Sequence, residues 1–409
     1  MRIRAALVSL ALTAAAAAQT KKLDTTQFIV MGEGLAAGVT DFGIRQDVQE
    51  KTFGALIAKQ MRTNFPQPLF QGPGVSVIPG LAPQPAILPT TRQTTVREGF
   101  PPSLFVFNLS VPGMRMADAI GWRPSEPLVQ PGDPRQTALN LTLGYPALIL
   151  GKGKPVWTQL EYAVNMNPTL VIVSLGYHEA ADAAASGAPE LLPDAAAFRA
   201  NLNTVLTRLK GTFAEVIVAT VPDPFDTAYF TTFDNTPKYT NISTAGLTTT
   251  FGLQRGDFVT PTGLLALGNQ ALTTRTGRLP GGSFVRAATA DAVRARIRAI
   301  NTEIGSAAQQ NGATLYDMAA FFRGIRTNGY AVGTRVLTAD YLGGFYTLSG
   351  FYPGITGHAL IANELLALLN RTYGTNFAAV NVAQVSAGDP ARRRYQPQRA
   401  PAGATQEKQ

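Results

Sequence analysis

No cysteine occurs anywhere in the 409 residues, so disulfides and thiolate metal sites are excluded. Histidine is nearly as scarce: His178 and His358 are the only two. Two scattered imidazoles without thiolates give no reason to expect a bound metal. Charged residues are sparse at 15%, and the net charge of +9 gathers towards the ends. Within 386–409, Arg392, Arg393, Arg394, Arg399 and Lys408 outnumber Asp389 and Glu407, and Arg2 and Arg4 add to the excess at the other end. The body between is mildly basic. It holds no basic stripe with interleaved aromatics, so no nucleic-acid partner is expected. The 386–409 stretch reads as a solvated, disordered basic tail. Long apolar runs are missing too. Beyond the N-terminus no segment approaches the roughly 18 uninterrupted apolar residues of a membrane helix.

The first residues have their own pattern. Arg2 and Arg4 precede an apolar stretch from Ala5 to Ala15, and Ala16-Ala17-Ala18 stands before Gln19. A positive start, a short apolar centre and a small-residue end are the parts of a signal peptide. Residues 1–18 are therefore expected to be removed on export. The mature chain is expected in a periplasm or outside the cell, with no transmembrane segment. With 45% hydrophobic residues, it can bury a substantial core. No cofactor is expected: the glycine-rich turn Gly151-Lys152-Gly153-Lys154 lacks the Gly-Lys-Ser/Thr ending of a phosphate loop.

Short apolar runs alternate with helical patterns. Strands are expected at Phe28–Met31, Leu104–Leu109, Thr169–Leu175, Glu215–Val221 and Thr314–Asp317. Helices are expected at Lys51–Arg62, Trp157–Met166, Ala195–Leu209 behind an Asp194 cap, Thr289–Gln310 and Gly357–Leu369. Residues 66–103 are rich in proline and glycine and read as an ordered loop or lid. Residues 223–285 read as a long insertion, with one short helix near Leu264–Ala271. This alternation predicts an α/β fold: a flavodoxin-like three-layer sandwich with a parallel five-stranded sheet and helices on both faces. The domain is expected to span 19–385.

In such folds ligands sit beyond the carboxyl ends of the strands. The blocks there are Gly32-Glu33-Gly34-Leu35, Asn108-Leu109-Ser110-Val111-Pro112-Gly113, Gly176-Tyr177-His178-Glu179 and the loop from Ser349 to Asn363. In order and spacing these four blocks resemble the SGNH or GDSL-type hydrolases, over roughly residues 28–373. The resemblance implies an ester-hydrolase frame. It also implies a serine nucleophile, a histidine base with an aspartate three residues before it, and an oxyanion hole completed by a glycine and an asparagine.

Each of those positions is substituted. The serine position is Gly34, the glycine Ser110, the asparagine His178, the aspartate Ser349 and the histidine Tyr352. Gly34 has no side chain to attack with, and a tyrosine is a poor base at neutral pH. No confident catalytic set is left. The chain therefore reads as a catalytically degenerate pseudo-hydrolase, acting as a binding or scaffold module. A small-molecule or protein ligand would sit in the strand-end cleft, over a floor of Glu33, Ser110, His178, Glu179, Ser349 and Tyr352. Two alternatives stay open. One is an ester hydrolase with a relocated constellation around His178, using Ser110 or Ser349 as nucleophile and Glu33 or Glu179 as partners. The other is a structural part of an envelope or secreted assembly. Glu33 and Glu179 can equally hold loop amides, and His358 reads as structural.

Overall fold

In a computed structural model the structure describes residues 22–71, 77–80, 96–97, 105–144, 147–150, 156–272 and 277–390. The expected signal peptide at 1–18 and most of the 66–103 stretch lie outside the described residues. Within that stretch, Phe70–Gln71 pairs antiparallel with Val96–Arg97.

The core is a parallel sheet. In chain order its strands are β1 (Phe28–Gly32), β2 (Leu170–Ser174), β3 (Glu215–Ala219) and β4 (Thr314–Tyr316), hydrogen-bonded in that order. Register runs Phe28 opposite Leu170 and Val171 opposite Val216. Every residue of β1 and β2 is buried, so both sheet faces are covered. That is why these strands read as unbroken β-branched runs instead of alternating ones.

The expected fifth strand is reduced to a single parallel bridge between Val30 and Asn108. Phe107 O accepts from Val30 N at 2.9 Å, and Leu109 N donates to Val30 O at 2.8 Å. Val111 N still donates to Gly32 O at 3.2 Å, but Pro112, which has no N–H, follows and ends the pairing. With this segment counted, the spatial order is second, first, third, fourth, fifth, the flavodoxin-like order with its switch point beside β1.

Helices follow the strands. Beside β1 lie α1 (Gly34–Ala37) and α2 (Phe53–Met61); α3 (Gln159–Asn165) precedes β2, and α4 (Tyr177–Ser186) and α5 (Ala195–Lys210) follow it. Next come α6 (Ala287–Gln310), α7 (Met318–Asn328) and α8 (Ile355–Tyr373). Helices α5 and α6 pack on each other, as do α2 and α8. The stripe Val293, Ile297, Ile300 and Ile304 is the buried face of α6. Asp194 caps α5 by accepting from Ala196 N at 2.8 Å. No helix among the described residues is long and apolar enough to cross a membrane.

Two expectations need correction. The insertion holds more than one short helix. It has helices at Pro237–Thr240, Thr244–Phe251 and Pro261–Leu272 and a three-stranded antiparallel sheet. Its own small core joins Phe233, Ile242, Leu247, Phe251, Leu253, Val259 and Leu267. Residues 386–390, placed in the expected disordered tail, are ordered. Helix Val382–Ala387 is formed and Asp389 is buried, while residues 391–409 lie outside the described ones.

Gln159 on α3 joins the sheet to the loops beyond it. Its Nε2 donates to Gly32 O at 2.9 Å and to Leu109 O at 2.8 Å. The side chain is fully buried, so Gln159→Leu takes a buried donor away from both carbonyls. We expect a loss of about 1–3 kcal/mol, read as a lower urea midpoint at unchanged slope.

Candidate functional site

The carboxyl ends of β1 and β2 bring the first three blocks together, and the loop before α8 brings the fourth. Glu33 is the N-cap of α1, where its Oε1 accepts from Leu35 N at 3.2 Å. Gly176 has φ +104°, and a Cβ there would meet Val221 at 2.8 Å and Phe198 at 3.0 Å. Only glycine takes this turn without strain, and the turn starts α4 with Tyr177, His178 and Glu179. Glu179 Oε1 accepts from Met116 N at 2.7 Å, so both glutamates hold loop amides.

The expected open floor is enclosed instead. Glu33, Ser110, His178, Glu179, Ser349 and Tyr352 are all buried, none above 4% exposure. The filling group is Tyr352. A Cβ on Gly34 would lie 2.7 Å from its hydroxyl oxygen and 2.9 Å from Cζ. The phenol occupies the space in which a side chain at residue 34 would begin. The edge of Tyr177 meets the Tyr352 ring at a centroid distance of 6.1 Å, and Tyr177 Oη donates to Phe351 O at 2.8 Å.

The loop bearing Tyr352 is tied to the first block. Thr347 N donates to Tyr352 O at 2.9 Å. Asp41 N donates to Thr347 Oγ1 at 3.0 Å, and Asp41 Oδ1 accepts from Leu348 N at 3.0 Å. Ser349 Oγ lies 3.2 Å from that same threonine hydroxyl. Ser110 Oγ is 3.0 Å from where a Cβ on Gly32 would sit, and it is buried without a partner. Neither serine hydroxyl is paired with a histidine among the described residues.

Burial sets the charge states. It pushes the Glu33 carboxyl up to about 8, with the neighbouring Glu179 adding to the rise. It pushes Glu179 up to about 7. Burial, with Arg135 and Arg115 nearby, lowers His178 to about 3, so the ring is neutral at neutral pH. Its Nδ1 has no partner. The Tyr352 phenol is pushed well above its ordinary range by burial and by Glu33, which makes it a still poorer base. His358 lies in the core, its ring 6.1 Å from Phe53, and burial lowers it to about 4.

Gln159, Asp41 and Thr347 were not singled out by the sequence. Nor were Arg115, which pairs with Asp182 at 3.1 Å, and Arg135, whose Nε donates to Gly113 O. Gln159 lay inside an expected helix, but nothing in its spacing marked it as a donor to two strand ends.

No protein-family model matches the sequence, and no curated protein matches it. Among solved structures the chain is similar to phospholipase A1 from Streptomyces albidoflavus NA297, at 12% identity and a TM-score of 0.36, over 85% of this chain and 100% of that one. It is similar to an acetyl-xylooligosaccharide esterase from Geobacillus Stearmophilus at 10% and 0.38, over 88% and 99%. It is also similar to the extracellular lipase from Streptomyces rimosus at 14% and 0.34, over 85% and 99%. At these identities and TM-scores all three likenesses are distant.

Two outcomes follow from the packing. Gly34→Ala overpacks against Tyr352 and costs about 1–3 kcal/mol. In a Tyr352→Leu background that cost shrinks, so a double-mutant cycle by urea unfolding returns a coupling well above 0.5 kcal/mol, the order expected for residues in contact. The second outcome concerns pH. Glu33 holds its proton up to about 8 when folded, against 4.5 for an ordinary glutamate. The folded state therefore binds more protons in that window, and stability falls as pH rises through it. The histidines act oppositely, but only below their ordinary value of 6.5. Glu179, raised to about 7, adds a slope of the same sign up to that value. Between about pH 7 and 8 the Glu33 slope therefore dominates, limited to about 1.4 kcal/mol per pH unit for one proton. Glu33→Gln flattens the urea midpoint against pH there, whereas an unchanged slope assigns the effect elsewhere.

Proposed function

We propose that the chain is a hydrolase-like frame whose reaction site is filled by its own tyrosine, and that it works as an exported binding or scaffold module. The observation that carries this reading is the Tyr352 phenol 2.7 Å from the Cβ position of Gly34. Acyl transfer needs a nucleophile beside a base, with space for a carbonyl between the nucleophile and the oxyanion donors. At residue 34 there is no nucleophile, and the space above it holds a ring. The base position is that same phenol, buried and harder to ionise than usual.

A relocated constellation around His178 gains no support. Its Nδ1 has no orienting partner, and Glu179 is engaged by Met116 N.

The test uses the purified chain with a fluorophosphonate probe and a panel of short-chain aryl esters. We expect no labelling and no turnover above background. Labelling that disappears in Ser110→Ala or Ser349→Ala would overturn the reading and establish a relocated nucleophile.

A further inference from the structure

Helix α8 carries Thr356, Asn363 and Asn370, seven residues apart in each step. Seven residues are nearly two turns, so the three side chains lie on one face, about 10.5 Å apart along the axis. After Gly374, which caps α8 in the left-handed conformation, the chain doubles back along that face. Asn370 grips the backbone of Phe377: Nδ2 donates to Phe377 O at 3.0 Å and Oδ1 accepts from Phe377 N at 2.8 Å. Asn363 does the same to Val380, at 3.1 Å and 2.7 Å. At the helix start, the Asp389 carboxylate accepts from Thr356 N at 2.9 Å and from Thr356 Oγ1 at 2.5 Å.

The spacing is matched on both sides. From Phe377 to Val380 is three residues, and three extended residues also cover about 10 Å. Each asparagine amide satisfies both backbone groups of one strap residue, whatever its side chain. Asn side chains offer one acceptor and two donors in a fixed plane, so two of them at this interval read an extended peptide by its backbone. The added preferences come from Val380, which is buried, from Phe377, which packs against the core, and from Asp389 at the helix N-terminus, where a carboxylate is favoured. Between these anchors the strap is mostly exposed: Thr375, Phe377 and Val382 are half-buried, and Asn376, Ala378, Ala379 and Asn381 are open to solvent. Ser386 is buried as well, and Val382 and Val385 pack against the core from the helix Val382–Ala387; the stretch from Asn376 to Asn381, with Val380 as its one buried residue, is the part that opens locally at low cost.

We propose that this face of α8 is a peptide-binding site that reads an extended backbone through Asn363 and Asn370, and that its own strap fills it in cis. The partner it fits is a segment that is extended from an aromatic residue to an aliphatic residue three positions on and then turns through a short helix, as Val382–Ala387 does in the strap, to bring a carboxylate nine positions further to the start of α8. Thr356 and Asn363 lie in the fourth block, but the site uses none of Gly34, Ser110, His178, Ser349 and Tyr352.

The test uses the full chain with the strap weakened and the reading face intact, as Val380→Asp with Asp389→Ala. The probe is a fluorescent synthetic peptide of residues 375–390. It binds the weakened chain saturably and the wild type at least about tenfold more weakly, because the cis strap competes at high effective concentration. Asn363→Ala or Asn370→Ala in the weakened background lowers peptide affinity by about tenfold each, whereas Asn311→Ala, at the C-cap of α6, leaves it unchanged. Circular dichroism and a cooperative melt confirm that each variant is folded. A folded, weakened chain that fails to bind the peptide overturns the proposal, and so does binding indifferent to both asparagines. Should Val380→Asp with Asp389→Ala not fold, Val380→Ala alone serves as the weakened chain with the same two outcomes.

Discussion

The close approach of Tyr352 to Gly34 is the constraint on which the strand-end half of the molecule depends. It holds only because residue 34 has no Cβ. The ring closes over the end of β1, and closing it takes Glu33 out of water. The Tyr352 carbonyl is tied through Thr347 to Asp41, which joins parts of the chain separated by 306 residues. First and last blocks thus form one packed seam. Interiors pack at near-crystalline density, and the Tyr352 ring fills the space above Gly34 in that seam.

The seam nonetheless keeps the polar character of a reaction site. Glu33 Oε2, Ser110 Oγ, Glu179 Oε2, His178 Nδ1 and Tyr352 Oη are all buried without partners among the described residues. Buried polar groups without hydrogen bonds cost stability. The two carboxyls reduce that cost by holding protons, which is the physical meaning of their raised values. A core selected for packing alone would carry leucine or phenylalanine at such positions. This seam carries ionisable and hydroxyl groups anchored to loop amides, and its geometry depends on those amides: Leu35 N on Glu33 and Met116 N on Glu179.

The strands were legible because β-branched runs flanked by Pro168, Gly176 and Pro222 have few other ways to bury themselves. Asp194 was legible as a cap because its side chain acts on its immediate neighbours. Helix α4 was missed because His178-Glu179-Ala180-Ala181-Asp182-Ala183-Ala184-Ala185 has no apolar stripe; its alanines fit beneath neighbours that only the fold supplies. The second strand position fell short of a strand because its pairing ends at Pro112. The insertion's core was hidden because its seven residues come from several short elements spaced among threonines and glycines. At the strand ends the residues at 34, 110, 178, 349 and 352 could be read from the sequence, but the direction of the Tyr352 ring could not. A tyrosine at position 352 is compatible with an open cleft until the ring is seen over Gly34. The strap's asparagines were equally silent, since asparagines seven apart have no meaning until a chain lies across them.

Helix α8 connects the two features that lie furthest from a hydrolase's chemistry. Its first turn follows directly from the Tyr352 loop, and its outer face holds the strap. The two are nevertheless held by different bonds. Tyr352 is fixed by Thr347 N, by the Asp41 clamp and by the edge of Tyr177. The strap is fixed by Asn370, Asn363 and Thr356. Thr356 N loses its Asp389 acceptor when the strap leaves, but that amide lies in the first turn, where water can replace a side-chain cap. The two meet at the start of the helix, where Asp389 and Pro390 line the same small cavity as Asp41 and Thr347. Exchange at Asn370 and Asn363 therefore leaves the named bonds of the ring in place, whereas release of Asp389 is felt directly beside the Asp41 clamp.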